Sequence, residues 1–278
     1  MRFVKQLVAV AAVAFAGGQA IVAVQGNDWL TLPLGVLTSV LSILVYIWVV
    51  RRTERRAVTE LARAGAVSQT GLGTVLGVGM FVAVLVNIAL FAEYHVNGFG
   101  SATGAMGLVG FMAAAAVTEE VLFRGVLFRL IEERTGTWIA MLLTGVAFGM
   151  MHLTNPDASL WGATAITIEA GFMFAAAYAA TRNLWLPIGL HFGWNIAAGG
   201  IFSSVVSGNE QSKGLLETAM SGPALLTGGD FGPEASVFAV AAGVLMTAGF
   251  MWMAYRRGTI VPRRRRTAVA PATVTVTP

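Results

Sequence analysis

The chain predicts an all-α, polytopic transmembrane helical bundle of about eight spans, with both termini on the cytosolic side. Composition is the first reason. The 278 residues are 56% hydrophobic and only 12% charged, with a mean hydropathy of +0.73. A soluble domain carries about 25% charged residues, so an ordinary soluble protein is excluded. Apolar runs are the second reason. They recur at about Val4–Val24, Leu30–Val50, Gly71–Ala92, Ala105–Leu127, Trp138–His152, Trp161–Ala180, Trp185–Phe202 and Ser236–Tyr255. Most approach the ~20 residues that cross a bilayer as a helix. Charge segregation is the third. With the N-terminus inside, one side receives Arg2, Lys5, the Arg51–Arg63 segment, Arg129, Arg134, Arg182 and the Arg256–Arg266 tail. Intramembrane Arg124 aside, the other side receives only Lys213. Such an asymmetry follows the positive-inside rule.

Residues 1–103 therefore read as N-terminal spans, 104–202 as a core, 203–234 as an extracytoplasmic loop, 235–258 as the last span and 259–278 as a basic, disordered cytosolic tail. Met1–Ala20 has the basic start, apolar middle and small residues of a signal peptide. The run continues through Ile21–Val24 without a stop, so a retained helix is expected. The segment 51–69, with five arginines, Glu54 and Glu60, reads as a short helix on the cytosolic surface. Gly71, Gly73, Gly77 and Gly79 point to close helix packing. His95, beside Glu93, falls in an external loop and reads as a surface residue. Trp185 and Trp194 read as interfacial or packing aromatics. Cysteine is absent, which excludes disulfides, thiolate metal sites and a cysteine nucleophile. The pI near 10 does not imply nucleic acid, because the basic residues mark topology. Arg263–Arg266 reads as an anchor with affinity for anionic membrane lipids.

Polar clusters interrupt the apolar runs: Glu119-Glu120 with Arg124, His152 four residues after Phe148, and His191 with Asn195. Ionisable groups in hydrocarbon are costly and usually functional. They are also the groups that amide hydrolysis needs: a base for water, a proton shuttle and donors for an oxyanion. Hairpin arithmetic compares their heights. Glu119 lies 17 residues before Gly136 and His152 lies 16 after it, so both stand about 25 Å from the turn. Glu169 is 13 residues before Arg182 and Asn195 is 12 after Asn183, which levels those two as well. Glu120 and Arg124 are i,i+4 and can pair. Glu119 points about 100° away from Glu120. Glu120 is therefore expected to be held by Arg124, leaving Glu119 freer to act on water, although spacing alone permits the reverse.

The motifs Glu119-Glu120-Val-Leu-Phe-Arg124, Phe148-Gly-Met-Met-His152 and His191-Phe-Gly-Trp-Asn195 resemble the EExxxR, FxxxH and HxxxN motifs of the CPBP family. These are the CAAX-protease and bacteriocin-processing intramembrane proteases, related to the type II CAAX prenyl endopeptidase. The resemblance spans about Ala105–Gly200. It implies that Glu119 activates water with help from His152, and that His191 and Asn195 stabilise the oxyanion. Arg124 would orient the pair and keep its partner ionised.

Plainer readings exist for each group. A Glu–Arg pair can simply join helices, and His152 can cap a span end before Thr154-Asn155-Pro156. Phe148 reads as packing or a wall of the site, and Glu169 as a candidate for substrate contact or for support of the catalytic shell. Glu119, Glu120, His152 and His191 are the donors that a divalent, zinc-like ion would use, and the family has been described as metalloprotease. HExxH is absent and Asn is a poor zinc ligand, so the expectation is no cofactor, with zinc as the alternative. The functional expectation is an endopeptidase in a bacterial cytoplasmic membrane, acting on a peptide or protein substrate that can carry a lipid. A non-hydrolytic scaffold or bacteriocin-immunity protein is the alternative. A transporter is disfavoured because paired broken helices are missing.

Overall fold

Hydrocarbon cannot solvate backbone N–H and C=O groups, so each apolar run must close its hydrogen bonds within itself. In the computed structural model, which describes residues 1–24, 26–210 and 213–263, the runs form helices α1 (Arg2–Ala23), α2 (Asp28–Glu54), α3 (Ala66–Phe91), α4 (Ala102–Thr135), α5 (Thr137–Thr154) and α6 (Leu160–Thr181). Helix α7 (Trp185–Asn195) and helix α8 (Val237–Arg256) complete the bundle. Seven of these, all but α7, are long and apolar enough to cross a membrane by length and composition. The eighth expected run, Trp185–Phe202, is 11 residues of α-helix followed by 6 of π-helix (Ile196–Ile201). It lies buried among the others, from Leu186 to Asn195 almost without a break.

Side-chain caps start several helices at the end opposite the arginines. Ser101, Ser159 and Ser236 accept from Gly104 N, Gly162 N and Ala239 N at 2.9, 2.9 and 3.1 Å, which satisfies donors that a helix start otherwise leaves open. Glycine sets the position of α7. A Cβ at Gly77 would meet the Leu190 carbonyl at 2.3 Å, and one at Gly193 would meet the Thr74 carbonyl at 2.2 Å. The α3 and α7 backbones therefore touch, as small residues allow in membranes. Gly71 and Gly79 face open space and have no such role.

Some expectations are corrected. Segment 51–69 is no surface helix: α2 continues to Glu54, a 3₁₀ turn spans Thr59–Leu61, and α3 starts at Ala66. Within that turn Glu60 is buried and accepts from Tyr46 and Arg56. The 203–234 segment is likewise folded rather than an exposed loop. It contributes strand β2 (Leu216–Ser221), antiparallel to β1 (Glu93–Phe99), and buries Ser203, Ser204 and Glu234. His95 lies exposed in β1 opposite Ala219, so its surface reading holds but its loop reading does not. In the tail, Val261 pairs with Thr137 through Thr137 N to Val261 O (3.0 Å) and Val261 N to Thr137 Oγ1 (2.9 Å), so 259–263 is anchored. The remainder of the expected disordered tail, 264–278, lies outside the described residues.

Candidate active site

Helix α4 delivers the acids. Its regular winding ends at Glu120, and Val121–Phe128 is π-helical, a local widening that often marks functional sites. Glu120 Oε1 accepts from Arg124 Nη1 at 2.7 Å, and both side chains are fully buried. Arg124 Nη2 donates to Gly171 O at 2.9 Å. That carbonyl closes the π-helical stretch Thr167–Gly171 of α6. The guanidinium also lies 4.7 Å from the Phe148 ring and 5.2 Å from Phe174. A desolvated cation is stabilised by such faces.

His191 joins the two acids. Its Nδ1 is 3.1 Å from Glu120 Oε1 and its Nε2 is 3.9 Å from Glu119 Oε2. Successive helical carboxylates diverge by about 100°, and the imidazole reconciles them by offering one nitrogen to each. Phe174 stacks on the ring at 4.8 Å with an 18° interplanar angle and fixes its plane. An ionised Glu120 can only accept, so Nδ1 carries a proton, and Nε2 of the neutral ring is an acceptor turned towards Glu119. Glu119 is the more accessible acid: its side chain is 24% exposed, against 0% for Glu120.

His152 is buried where the α-helical part of α5 ends. Its Nδ1 lies 2.8 Å from Phe148 O. A carbonyl only accepts, so Nδ1 again carries the hydrogen and Nε2 is left to act as a base. Phe148 touches both imidazoles, 5.0 Å from His152 and 6.1 Å from His191 between centroids. It is a shared wall. Asn195 is buried one helical turn beyond His191, just before the π-helical stretch.

Glu119, Glu120, Arg124, Phe148 and His191 thus form one contiguous group, with His152 attached through Phe148. Glu169 is not hydrogen-bonded into this group. Its backbone packs against Gly243 of α8, and its carboxylate interacts electrostatically with Glu234. Both of its oxygens are buried without a hydrogen-bond partner among the described residues. Levelling with Asn195 therefore brings no hydrogen bond between the Glu169 carboxylate and a motif residue.

Three contributors escaped sequence reasoning. Phe174 holds His191, and nothing distinguishes it from a packing residue in sequence. Glu234 accepts from Trp194 Nε1 and from Ser207 Oγ, each at 2.8 Å. It ties the 203–234 segment to the helix of His191. Its only signal was an acid in a Gly-Pro-rich stretch. Tyr46 of α2 donates to Glu60 Oε1 at 2.5 Å and lies 3.0 Å from the Gly125 carbonyl, one residue past Arg124.

The zinc alternative meets a poor donor set. Among the described residues no three His, Asp or Glu side chains are grouped to hold a metal ion. Glu120 Oε1 is shared by Arg124 and His191, and His152 Nδ1 is directed at a carbonyl.

Fold and site together define an integral membrane helical bundle with an acid–imidazole–guanidinium cluster in its interior. The family model described as type II CAAX prenyl endopeptidase Rce1-like matches residues 101–197. A relative from Bacillus subtilis (strain 168), "Putative membrane peptidase YdiL", is 30% identical over 174 residues, covering 57% of this chain and 68% of that protein. No solved structure matches the chain significantly. The chain belongs to the CPBP family and is a CAAX-type membrane protease.

Proposed function

We propose that the chain is an intramembrane endopeptidase whose nucleophile is a water activated by Glu119. The observation that carries this reading is the pair of acceptors, Glu119 Oε2 and His191 Nε2, turned towards each other at 3.9 Å. That distance is too long for a direct hydrogen bond but suits a bridging water. Glu119 takes one proton from the water, and the hydroxide adds to the scissile carbonyl carbon. The resulting oxyanion accepts from the Asn195 amide N–H, while His191 keeps Nε2 as the acceptor that orders the attacking water. The C–N bond then breaks, and the proton taken by Glu119 passes to the leaving amine, with His152 as relay. Arg124 keeps Glu120 ionised, and Glu120 holds His191 in its tautomer. Donors preorganised in a dry site can supply several kcal/mol of barrier lowering.

The mechanism uses no metal, so cleavage should survive exhaustive chelation. Substrates are peptides or proteins in or beside the membrane, and a prenylated C-terminal segment is the first class to test. The host membrane is proposed to be a bacterial cytoplasmic membrane, with the arginine-rich end inside. Purified Glu119→Gln and His152→Ala variants assayed on a peptide library test the assignment. Cleavage by both at the native rate would overturn it. A scaffold role would instead show as loss of folding in Glu119→Gln.

A further inference from the structure

We propose that the basic end of α1 and α2 holds an anionic glycerophospholipid, in a site separate from the peptidase cluster. A cleft of about 1080 Å³ lies between the start of α1 and the end of α2. Val4, Val8 and Trp48 supply an apolar wall, and all three are exposed. Lys5, Arg51, Arg52 and Arg55 supply the rim. A second cleft of about 350 Å³ adjoins it and shares Trp48, Arg51 and Arg52.

The charge on this rim is uncompensated. Nearby acids are already engaged: Glu54 with Arg56 and Arg129, Glu60 with Arg56, and Glu133 with Arg2. Lys5, Arg51, Arg52 and Arg55 make no ion pair among the described residues. Arg55 ends α2 in the left-handed conformation, at φ 54°, which is uncommon for a residue with a side chain. It thereby joins Arg51 and Arg52 at one cleft instead of continuing the helix.

Two chemistries therefore meet at one place. Free phosphate would answer the cations and leave the apolar wall bare. A zwitterionic lipid would cover the wall but bring no net negative charge to the cations. An anionic diacyl lipid does both, with its headgroup on Arg51 and Arg52 and acyl chains in the two clefts that flank Trp48. Basic residues at a membrane surface favour such lipids, and the aromatic belongs at headgroup depth.

The test uses the full chain in nanodiscs doped with brominated phosphatidylglycerol or brominated phosphatidylcholine, reading bromine quenching of Trp48 as the difference from a Trp48→Phe variant. Half-maximal quenching is expected at a mole fraction of the anionic lipid about tenfold lower than of the neutral one. The triple variant Arg51→Gln/Arg52→Gln/Arg55→Gln should erase that difference while peptide cleavage continues. Inorganic phosphate should not displace the lipid. Equal quenching of the native chain by both lipids would overturn the proposal whether or not the variant folds. Displacement by phosphate would reassign the cleft to a soluble anion.

Discussion

Near the basic end of α4, Arg129 donates to Glu54 Oε2 at 3.0 Å and to Gln6 Oε1 at 2.8 Å, while Glu54 also accepts from Gln6 and Arg56. Glu132 pairs with Arg182 and Thr137 nearby. Five to ten residues before Arg129 on the same helix, the Glu119–Glu120–Arg124 cluster is wired differently. Glu119 Oε2, Glu120 Oε2 and Arg124 Nε are buried without a hydrogen-bond partner among the described residues. Burying a charge costs several kcal/mol unless geometry and hydrogen bonds offset it. The first assembly meets that condition and fastens α1 and α2 to α4. The second keeps bonding capacity in reserve, as a site does that must still bind water and a peptide.

The contrast is open to direct attack. Glu119→Gln should lower peptide cleavage about 100- to 10,000-fold, the usual contribution of a positioned base, with no change in the thermal unfolding midpoint. Glu54→Ala should do the reverse, losing about 1–3 kcal/mol of stability as Arg129, Arg56 and Gln6 lose a shared acceptor. Thermal unfolding of the two variants side by side would break the comparison if both lost stability equally. Tyr46→Phe probes the boundary between the assemblies, because its hydroxyl touches both Glu60 and the Gly125 carbonyl. A cost of about 1 kcal/mol of stability is expected, read as a lower thermal unfolding midpoint with kcat and KM unchanged. A rise in KM would place Tyr46 in substrate binding instead.

The smallest effect is on pH dependence. Burial pushes the Glu60 carboxyl up, but hydrogen bonds from Arg56 and Tyr46 outweigh it and leave the group below its ordinary range. Its stabilisation is thus complete above the ordinary glutamate value of about 4.3 and is lost as pH falls through the lower folded value. Acid unfolding of Glu60→Gln should lack that limb. An identical acid profile for the native chain and the variant would remove Glu60 from the fastening role.

Sequence patterns made much of this legible. Glu120 and Arg124 pair at i,i+4 as their spacing predicted, and Gly73 and Gly77 pack helices as membrane glycines do. Other features were hidden for physical reasons. The π-helical stretches after Glu120, around Glu169 and after Asn195 turn later side chains around the axis, so height arithmetic could level residues without setting which way they face. Tyr46 looked like an ordinary residue of an apolar span. Its partner Glu60 sat in a segment that hydropathy read as surface.

The sequence alone determined a helical membrane bundle, the residues of its polar cluster and the segregation of its arginines, because hydrophobicity and charge act on each segment separately. Only the tertiary structure decided that His191 stands between the two glutamates, that Phe148 touches both it and His152, and that the Glu169 carboxylate is buried without a hydrogen-bond partner among the described residues. Those facts depend on helix rotation and on contacts between distant segments, which no local pattern encodes.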